Sequence, residues 1–343
     1  MAEAASPRSM AATTPIELGL NAAIVTVRDQ QPQILVVRQG TAGSGDWDAL
    51  PFGPFSPRAH RTLEIGLREW VQRQTAIELG YVEQLYAFGD RGRHAEPDGA
   101  HMLSIGYLAL TRGETAELLG SHWSPWYAYF PWEDWRGGKP DILSSEIEPR
   151  LKAWAGQSPG PNEPIRPLRR AERLRVSFGI DGGWDEERVL ERYELLYEAG
   201  LVARYELLYE AGLVAEAAQD GRQAAKRWPD LPELGRPMAF DHRRILATAM
   251  GRLRGKLKYR PVVFELMPPE FTLYDLQKTV EAISGTLLHK QNFRRLVEHG
   301  GLVEPTGNVS TATGGRPARL YRFRREVVLE RPAPGLRVKA GRG

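Results

Sequence analysis

The stretch Leu287–Arg325, LLHKQNFRRLVEHGGLVEPTGNVSTATGGRPARLYRFRR, restricts the fold more than any other part of the chain. Phe293, Leu296 and Val297 recur at i, i+3 and i+4, the spacing of one buried helix face. Lys290, Gln291, Arg294 and Arg295 recur at the same spacing on the other face, so they project together. Gly300-Gly301 stops the helix, because glycine enters the left-handed conformation of a helix end without steric cost. Leu302-Val303 and Leu320–Phe323 then read as paired strands around a loop from Thr306 to Pro317. A helix with a basic, hydrogen-bonding face followed by a basic hairpin is the layout of a winged helix-turn-helix on duplex DNA. A solvated amphipathic helix before an ordinary hairpin gives the same pattern, so the surrounding chain must decide.

The preceding segment supplies the missing helices. Asp241–Lys258 carries an apolar stripe of Ile245, Leu246, Ala249, Leu253 and Leu257. Its cations Arg243, Arg244, Arg252, Arg254, Lys256 and Lys258 either reach phosphates or form a solvated basic face. Pro261–Met267 is a short apolar element closed by Pro268-Pro269, and Thr272 with Asp275 forms a capping box. That box opens a helix with Leu273, Leu276, Val280 and Ile283 inward, ended by Gly285. Residues 241–343 hold 20 Lys+Arg against 9 Asp+Glu, a net +11, while residues 1–240 carry −8. Such a split is expected when only one end of a chain touches a polyanion. All nine tryptophans lie in the first 240 residues, so the two parts read as different domains.

At 343 residues the chain is long enough for two cores. No run of eighteen apolar residues predicts a membrane span, and MAEAASPRSMAATTP has no apolar core of a secretory signal. The chain has no cysteine, which excludes disulfides and thiolate metal sites and fits a reducing cytoplasm. The expected divisions are a disordered tail at 1–15, a first domain at 16–156, a linker and helical segment at 157–240, a second domain at 241–331 and a tail at 332–343. In the first domain, Asn21–Val27 and Ile34–Arg38 form a hairpin over a polar Asp29–Pro32 turn. A Gly/Pro-rich loop, a helix over Thr62–Leu79, strands at Val82–Phe88 and Met102–Leu110, and a late helix at Ser145–Trp154 follow. Trp123, Trp126, Trp132 and Trp135 are expected to pack an edge or a dimer contact rather than to form an aromatic cage.

The run LPFGPFSPRAHRTLEIGLREWVQRQTAIELGYVEQL resembles a Nudix box, in which glutamates at i, i+3 and i+4 of one helix hold Mg²⁺. Arg68 and Glu69 match its Arg-Glu pair. The two following metal glutamates are replaced by Gln72 and Arg73, the upstream one falls near His60, and the closing glycine is Thr75. A fixed arginine charge stands where a divalent ion would sit. The resemblance therefore implies the fold without the hydrolase: no catalytic residue, no metal ligand and no Mg²⁺ requirement. Arginine suits phosphate and tryptophan suits a purine, so Arg38, Trp47, Arg73, Arg91 and Arg93 are the ligand candidates.

Gln157–Arg169 is a proline-rich linker, and Trp184–Ala199 reads as a helix with Asp185, Glu186 and Glu187 near its start. RYELLYEAGLVA then occurs at 192–203 and again, identically, at 204–215. Twelve residues turn a helix about 120° past three full turns, so both copies cannot bury one face on one neighbour. One copy is expected to dock and the other to protrude or lengthen the helix.

The segments FTLYDLQ, KQNFRRLV and GGRPA, with YVEQLYAFGDRGR upstream, are similar to the Nudix-related transcriptional regulators of NAD metabolism, the NrtR family. The resemblance covers most of the chain outside the tail and the repeat. It implies an α/β (α+β) protein: a Nudix-like α/β/α sandwich, a helical linker and a winged helix-turn-helix domain. It further implies a homodimeric repressor that releases operator DNA upstream of NAD biosynthesis or salvage genes when it binds ADP-ribose or a related nucleotide. On that reading Lys290, Gln291 and Arg294 enter or flank the major groove, Arg295 and Thr306 meet phosphates, and Arg316 sits at the wing tip. Asn292 either joins them or bonds locally to the backbone. The rival readings are an active nucleoside-diphosphate hydrolase with a basic appendage and an RNA-binding or scaffold protein. Intact metal carboxylates would favour the first and an aromatic stacking platform the second.

Overall fold

The computed structural model describes residues 15–41, 45–89, 100–112, 120–157, 168–180, 183–202, 234–311, 317–330 and 333–336. Arg91, Arg93, Arg316, most of the proline-rich linker and the second repeat copy lie outside these residues. A seven-stranded sheet has the order β3-β2-β1-β6-β5, with β4 beside β1 and β7 beside β2. The strands are β1 (Ile16–Arg28), β2 (Gln31–Thr41), β3 (Gly45–Ala49), β4 (Phe52–Pro54), β5 (Tyr81–Phe88), β6 (His101–Leu110) and β7 (Ser121–Pro125). Only β1 and β6 run parallel, from Ile16↔His101 to Val25↔Leu110. The hairpin is tighter than its sequence suggests: Arg28 pairs with Gln31, so the turn is Asp29-Gln30 alone, both at positive φ. That geometry matches the right-handed twist of the two strands.

The sheet is apolar on both faces, which explains why β1 reads as a continuous apolar run rather than an alternating one. Leu20, Ala22 and Ile24 meet Leu67 and Val71 of helix α1 (Leu63–Thr75). Ala23 and Val25 face the other way, toward two 3-10 turns, Trp126–Ala128 and Pro131–Glu133. Helix α1 starts at Thr62, whose side chain accepts from the Ile65 N–H, and ends four residues earlier than expected because Ala76 turns left-handed at φ 56. The late helix is a π-turn, Leu143–Ile147, running into α2 (Glu148–Ala155). α3 (Arg170–Phe178) follows, then α4 (Val189–Glu198), which the first repeat copy forms in large part. Asp185, Glu186 and Glu187 precede α4 rather than lying in its first turn.

The C-terminal part comprises α5 (His242–Tyr259), a 3-10 turn (Val262–Leu266), β8 (Phe271–Thr272), α6 (Leu273–Ser284), α7 (Lys290–Gly300), β9 (Val303–Ser310), β10 (Ala318–Phe323) and α8 (Val327–Glu330). The second sheet has the order β8-β10-β9. No gap separates the two halves: one apolar cluster runs from Val25, Ile34 and Val36 through Trp126 and Trp132 to Ile245, Leu253, Ile283 and Val297. The expected stripe of α5 is buried as expected. Its cations correct both readings made from the sequence. Arg243 and Arg254 are themselves buried, and Arg244, Lys256 and Lys258 pair with Glu194, Glu83 and Glu186–Glu187. α5 is thus an inward-facing helix whose cations bind the acidic half of the chain.

Candidate effector cleft and nucleic-acid interface

The glycine-loop segment is fastened to α1 along its length. Gln74 donates to the Phe52 carbonyl (2.8 Å) and accepts from the Phe52 N–H (3.0 Å), as a neighbouring strand would. Trp70 donates from Nε1 to the Pro54 carbonyl at 2.9 Å and covers Gly53 so closely that a Cβ there would lie 2.1 Å from the indole. Arg68 pairs with Glu64 at 2.8 Å and donates to the carbonyls of Leu79 and Gly80, closing the far end of the helix.

Glu69 sits between two nitrogen groups. The Arg73 guanidinium pairs with its Oε1, and the His60 imidazole lies 3.4 Å from its Oε2. His60 is buried and its Nδ1 accepts from the Ser56 N–H, which leaves Nε2 as the protonated nitrogen facing Glu69. A guanidinium thus pairs with one carboxylate oxygen and an imidazole lies near the other, in the place where a cation would sit. These residues do not fit a Mg²⁺ site, which needs several oxygen ligands. Among the described residues no group of three or more His, Cys, Asp or Glu side chains could hold a metal ion.

The ligand candidates fall on different sides of this loop. Arg73 is exposed, with its guanidinium 5.4 Å from the Trp70 ring centre. Arg38 and Asp48 are cross-strand partners on one face, 3.4 Å apart. Trp47 alternates to the opposite face and packs with Val37, Ala49, Phe52, Ala239 and Phe240. Asp48 is a buried carboxylate that the sequence did not single out. It accepts from Tyr129 at 2.7 Å, and His122 lies 3.4 Å from its other oxygen. Burial keeps the Tyr129 hydroxyl protonated, and so able to donate, by raising its pKa. Arg91 and Arg93 lie outside the described residues.

The basic helix is built as the sequence suggests. Phe293 and Val297 are buried, and Gly301 closes α7 at φ 57. Lys290, Gln291, Asn292, Arg294 and Arg295 are all exposed, and among the described residues no side-chain hydrogen bond or ion pair engages them. The contrast with the paired cations of α5 is plain. Glu281 fixes the approach to α7 by accepting from the Leu288 N–H (2.9 Å), Gln277 (2.8 Å) and Lys278 (2.8 Å). Burial opposes its charge, yet Lys278 and these donors hold its carboxyl below the usual range. The capping box at Thr272 and Asp275 is present in both directions.

Strand β9 extends to Ser310, so Thr306 lies inside the hairpin and not in its loop, which corrects the expected loop boundary. Gly307, at φ 87, makes a bulge opposite Leu320, and Thr306 staples it by donating to the Leu320 carbonyl and accepting from the Asn308 N–H. Arg319 on β10 is exposed and has no partner among the described residues. It joins the free cations of α7, and sequence alone did not separate it from Arg322, which pairs with Glu304 at 2.6 Å. Arg316 lies outside the described residues.

A buried ionic centre joins the two halves. Glu133, wholly buried, accepts from Arg192 (2.6 and 2.8 Å) and from Arg254 (2.7 Å). Arg192 also holds the carbonyls of Ser177 and Asp185, and Arg254 those of Glu186 and Ile283. The end of α6 rests on the same segment: Tyr127 donates to the Ala282 carbonyl (2.7 Å) and the Trp135 N–H to that of Gly285 (2.7 Å). Carbonyls left open at a helix end are therefore satisfied by the first domain.

Residues 263–323 match the model of the NrtR DNA-binding winged helix domain. Over 86 residues, 25% of this chain, the sequence is 46% identical to the ADPR responsive transcriptional repressor NtrR of Acinetobacter baylyi, and that match spans 34% of the repressor's length. The chain shares its fold with Shewanella oneidensis NrtR crystallised with a 27mer DNA, at a TM-score of 0.51 and 20% identity over 91% of this chain and 95% of that one. A second crystal structure of that protein matches equally, at 0.51 and 20% over 90% of this chain and 95% of that one. No described helix is long and apolar enough to cross a membrane. Residues 263–323 are therefore similar to the NrtR DNA-binding winged helix domain, and the chain shares its overall α/β fold with Shewanella oneidensis NrtR.

Proposed function

We propose that this protein is a DNA-binding transcriptional repressor of NAD biosynthesis or salvage genes whose Nudix-like domain senses ADP-ribose or a related NAD-derived nucleotide. The observation that carries this reading is the unpartnered basic face of α7 within a matched NrtR winged helix domain. Lys290, Gln291 and Arg294 read base edges or flank them, while Arg295 and Arg319 hold phosphates. Asn292 sits in the same exposed row, and Arg316 completes the wing tip. The reader acts as a homodimer on half-sites about one helical turn apart.

The first domain, residues 16–156, binds nucleotide without hydrolysing it and without Mg²⁺. The pairing of Glu69 with Arg73 supports this, because it sets a fixed positive charge beside the carboxylate that a metal would need. Arg38, Arg73, Arg91 and Arg93 supply phosphate contacts and Trp47 a stacking surface. The test is a duplex, selected by the full chain from a random-sequence pool, titrated with ADP-ribose in a gel shift. Release of the duplex is the expected result; binding that ignores both duplex sequence and nucleotide overturns the reading. Incubation with Mg²⁺ and ADP-ribose should yield no AMP above a Glu69→Gln control.

A further inference from the structure

We infer that Phe52, Phe240 and His242 form a strained joint through which nucleotide in the first domain controls the reading head; this rests on the function proposed above. Phe240 has a φ of 55, in the left-handed region that bulky side chains avoid. Such a conformation persists only where the surroundings impose it. Here two ring contacts hold it, and a third joins the two rings that make them. Phe240 meets Phe52 edge-on at 5.3 Å, His242 lies 5.1 Å from Phe240, and Phe52 lies 5.3 Å from His242. Two hydrogen bonds lock the backbone beside them: the Ala239 N–H donates to the Asp48 carbonyl (2.8 Å), and the Leu50 N–H donates to His242 Nδ1 (3.0 Å).

The joint stands between the two functional regions. On the side of the ligand candidates, Phe52 is bonded to Gln74, the residue after Arg73, and shares its apolar cluster with Trp47. Asp48, which meets Arg38, supplies the carbonyl to Ala239. On the other side, His242 is the first residue of α5, a lever about 27 Å long. Arg254 of that helix holds the Ile283 carbonyl at the end of α6. A nucleotide that moves Trp47 or Phe52 takes away the support of the Phe240 ring, and the backbone at 240 then relaxes to an ordinary φ and turns the start of α5. The strain released in one state and not the other provides the difference in free energy that a ligand needs to shift an equilibrium.

The test compares wild-type chain with Phe240→Gly, which accepts a φ of 55 without strain and has no ring, and with Phe240→Tyr, which keeps the ring. Calorimetry measures ADP-ribose affinity, and anisotropy measures affinity for the selected duplex with and without ADP-ribose. In wild type and Phe240→Tyr, ADP-ribose weakens the duplex complex about tenfold or more. In Phe240→Gly both separate affinities stay within about threefold of wild type while that response falls below about twofold. A wild-type response in Phe240→Gly overturns the joint alone, and so does loss of either separate affinity in a variant that still unfolds cooperatively. A wild-type chain that binds the duplex but ignores ADP-ribose overturns the proposed function and the joint with it. If Phe240→Gly does not fold, Phe52→Leu carries the same test, because Gln74 bonds only the backbone of residue 52.

Discussion

Glu133 shows how much one residue can hold. Two guanidiniums reach it from α4 and α5, and all three side chains are buried. Burial alone would raise its pKa, yet Arg192 and Arg254 hold it below the ordinary 4.5. A carboxyl with a lowered folded-state pKa stabilises the fold at pH values above its unfolded pKa and loses that contribution as pH falls through the folded value. Stability is therefore expected to be level near neutrality and to drop below about pH 4, as read by urea unfolding across a pH series. Glu133→Gln should cost about 3–5 kcal/mol in the same measurement, because it leaves two buried cations short of a counter-charge. Gly285 is the neighbouring weak point. Its φ of 73 suits glycine, and a Cβ there would lie 2.4 Å from the Glu133 carbonyl oxygen. Gly285→Ala should lower stability by roughly 1–3 kcal/mol from the backbone alone, and by more if the turn cannot shift.

Among the elements, α5 and α7 both carry cations beside an apolar stripe, yet they do opposite things. On α5 the cations face Glu83, Glu133, Glu186, Glu187 and Glu194, and Glu187 and Glu186 hold the Lys258 ammonium above its ordinary range although burial opposes its charge. On α7 they face outward with no protein partner among the described residues. Truncation should separate base readers from phosphate contacts among the outward cations. Arg294→Ala should weaken selected-duplex binding by about 1–3 kcal/mol and relax base preference at one position. Arg319→Ala should weaken all duplexes alike and reduce the slope of log affinity against log salt by about 1. Both variants should melt close to the wild-type temperature, since neither side chain touches the core.

For the molecule as a whole, the charge division has a second meaning. Part of the net +11 of residues 241–343 neutralises the acidic first half, so the two parts attract each other as well as any polyanion. The repeat fits the same view. Its first copy supplies Arg192, Tyr193, Leu195 and Leu196 to the shared core, and the second lies outside the described residues. Because the copies are identical, deleting 192–203 or 204–215 gives the same chain. That shortened chain should bind the selected duplex as wild type does, within about twofold in anisotropy, a difference well under 1 kcal/mol. A larger loss would mean that the second copy supports the reading head.

The sequence by itself determined the local elements, those of the winged helix segment included. Apolar spacing gave α6 and α7, the Thr272–Asp275 box and Gly285 gave the boundaries of α6, and Gly301 gave the end of α7, because helix period and left-handed glycine are encoded within a few residues. Gln72 and Arg73, read as departures from a metal-binding box, were equally visible in the sequence. Only the tertiary structure decided what each charge faces. Arg254 and Arg294 look alike in sequence, yet one is a buried tie and the other is exposed with no partner among the described residues, since burial depends on partners distant in the chain. The same holds for Thr306, drawn into the wing by a bulge at Gly307, and for Phe240, left-handed and in ring contact with Phe52, 188 residues away. Short-range rules fix which element forms; the packing of remote elements fixes which face of it is free to act.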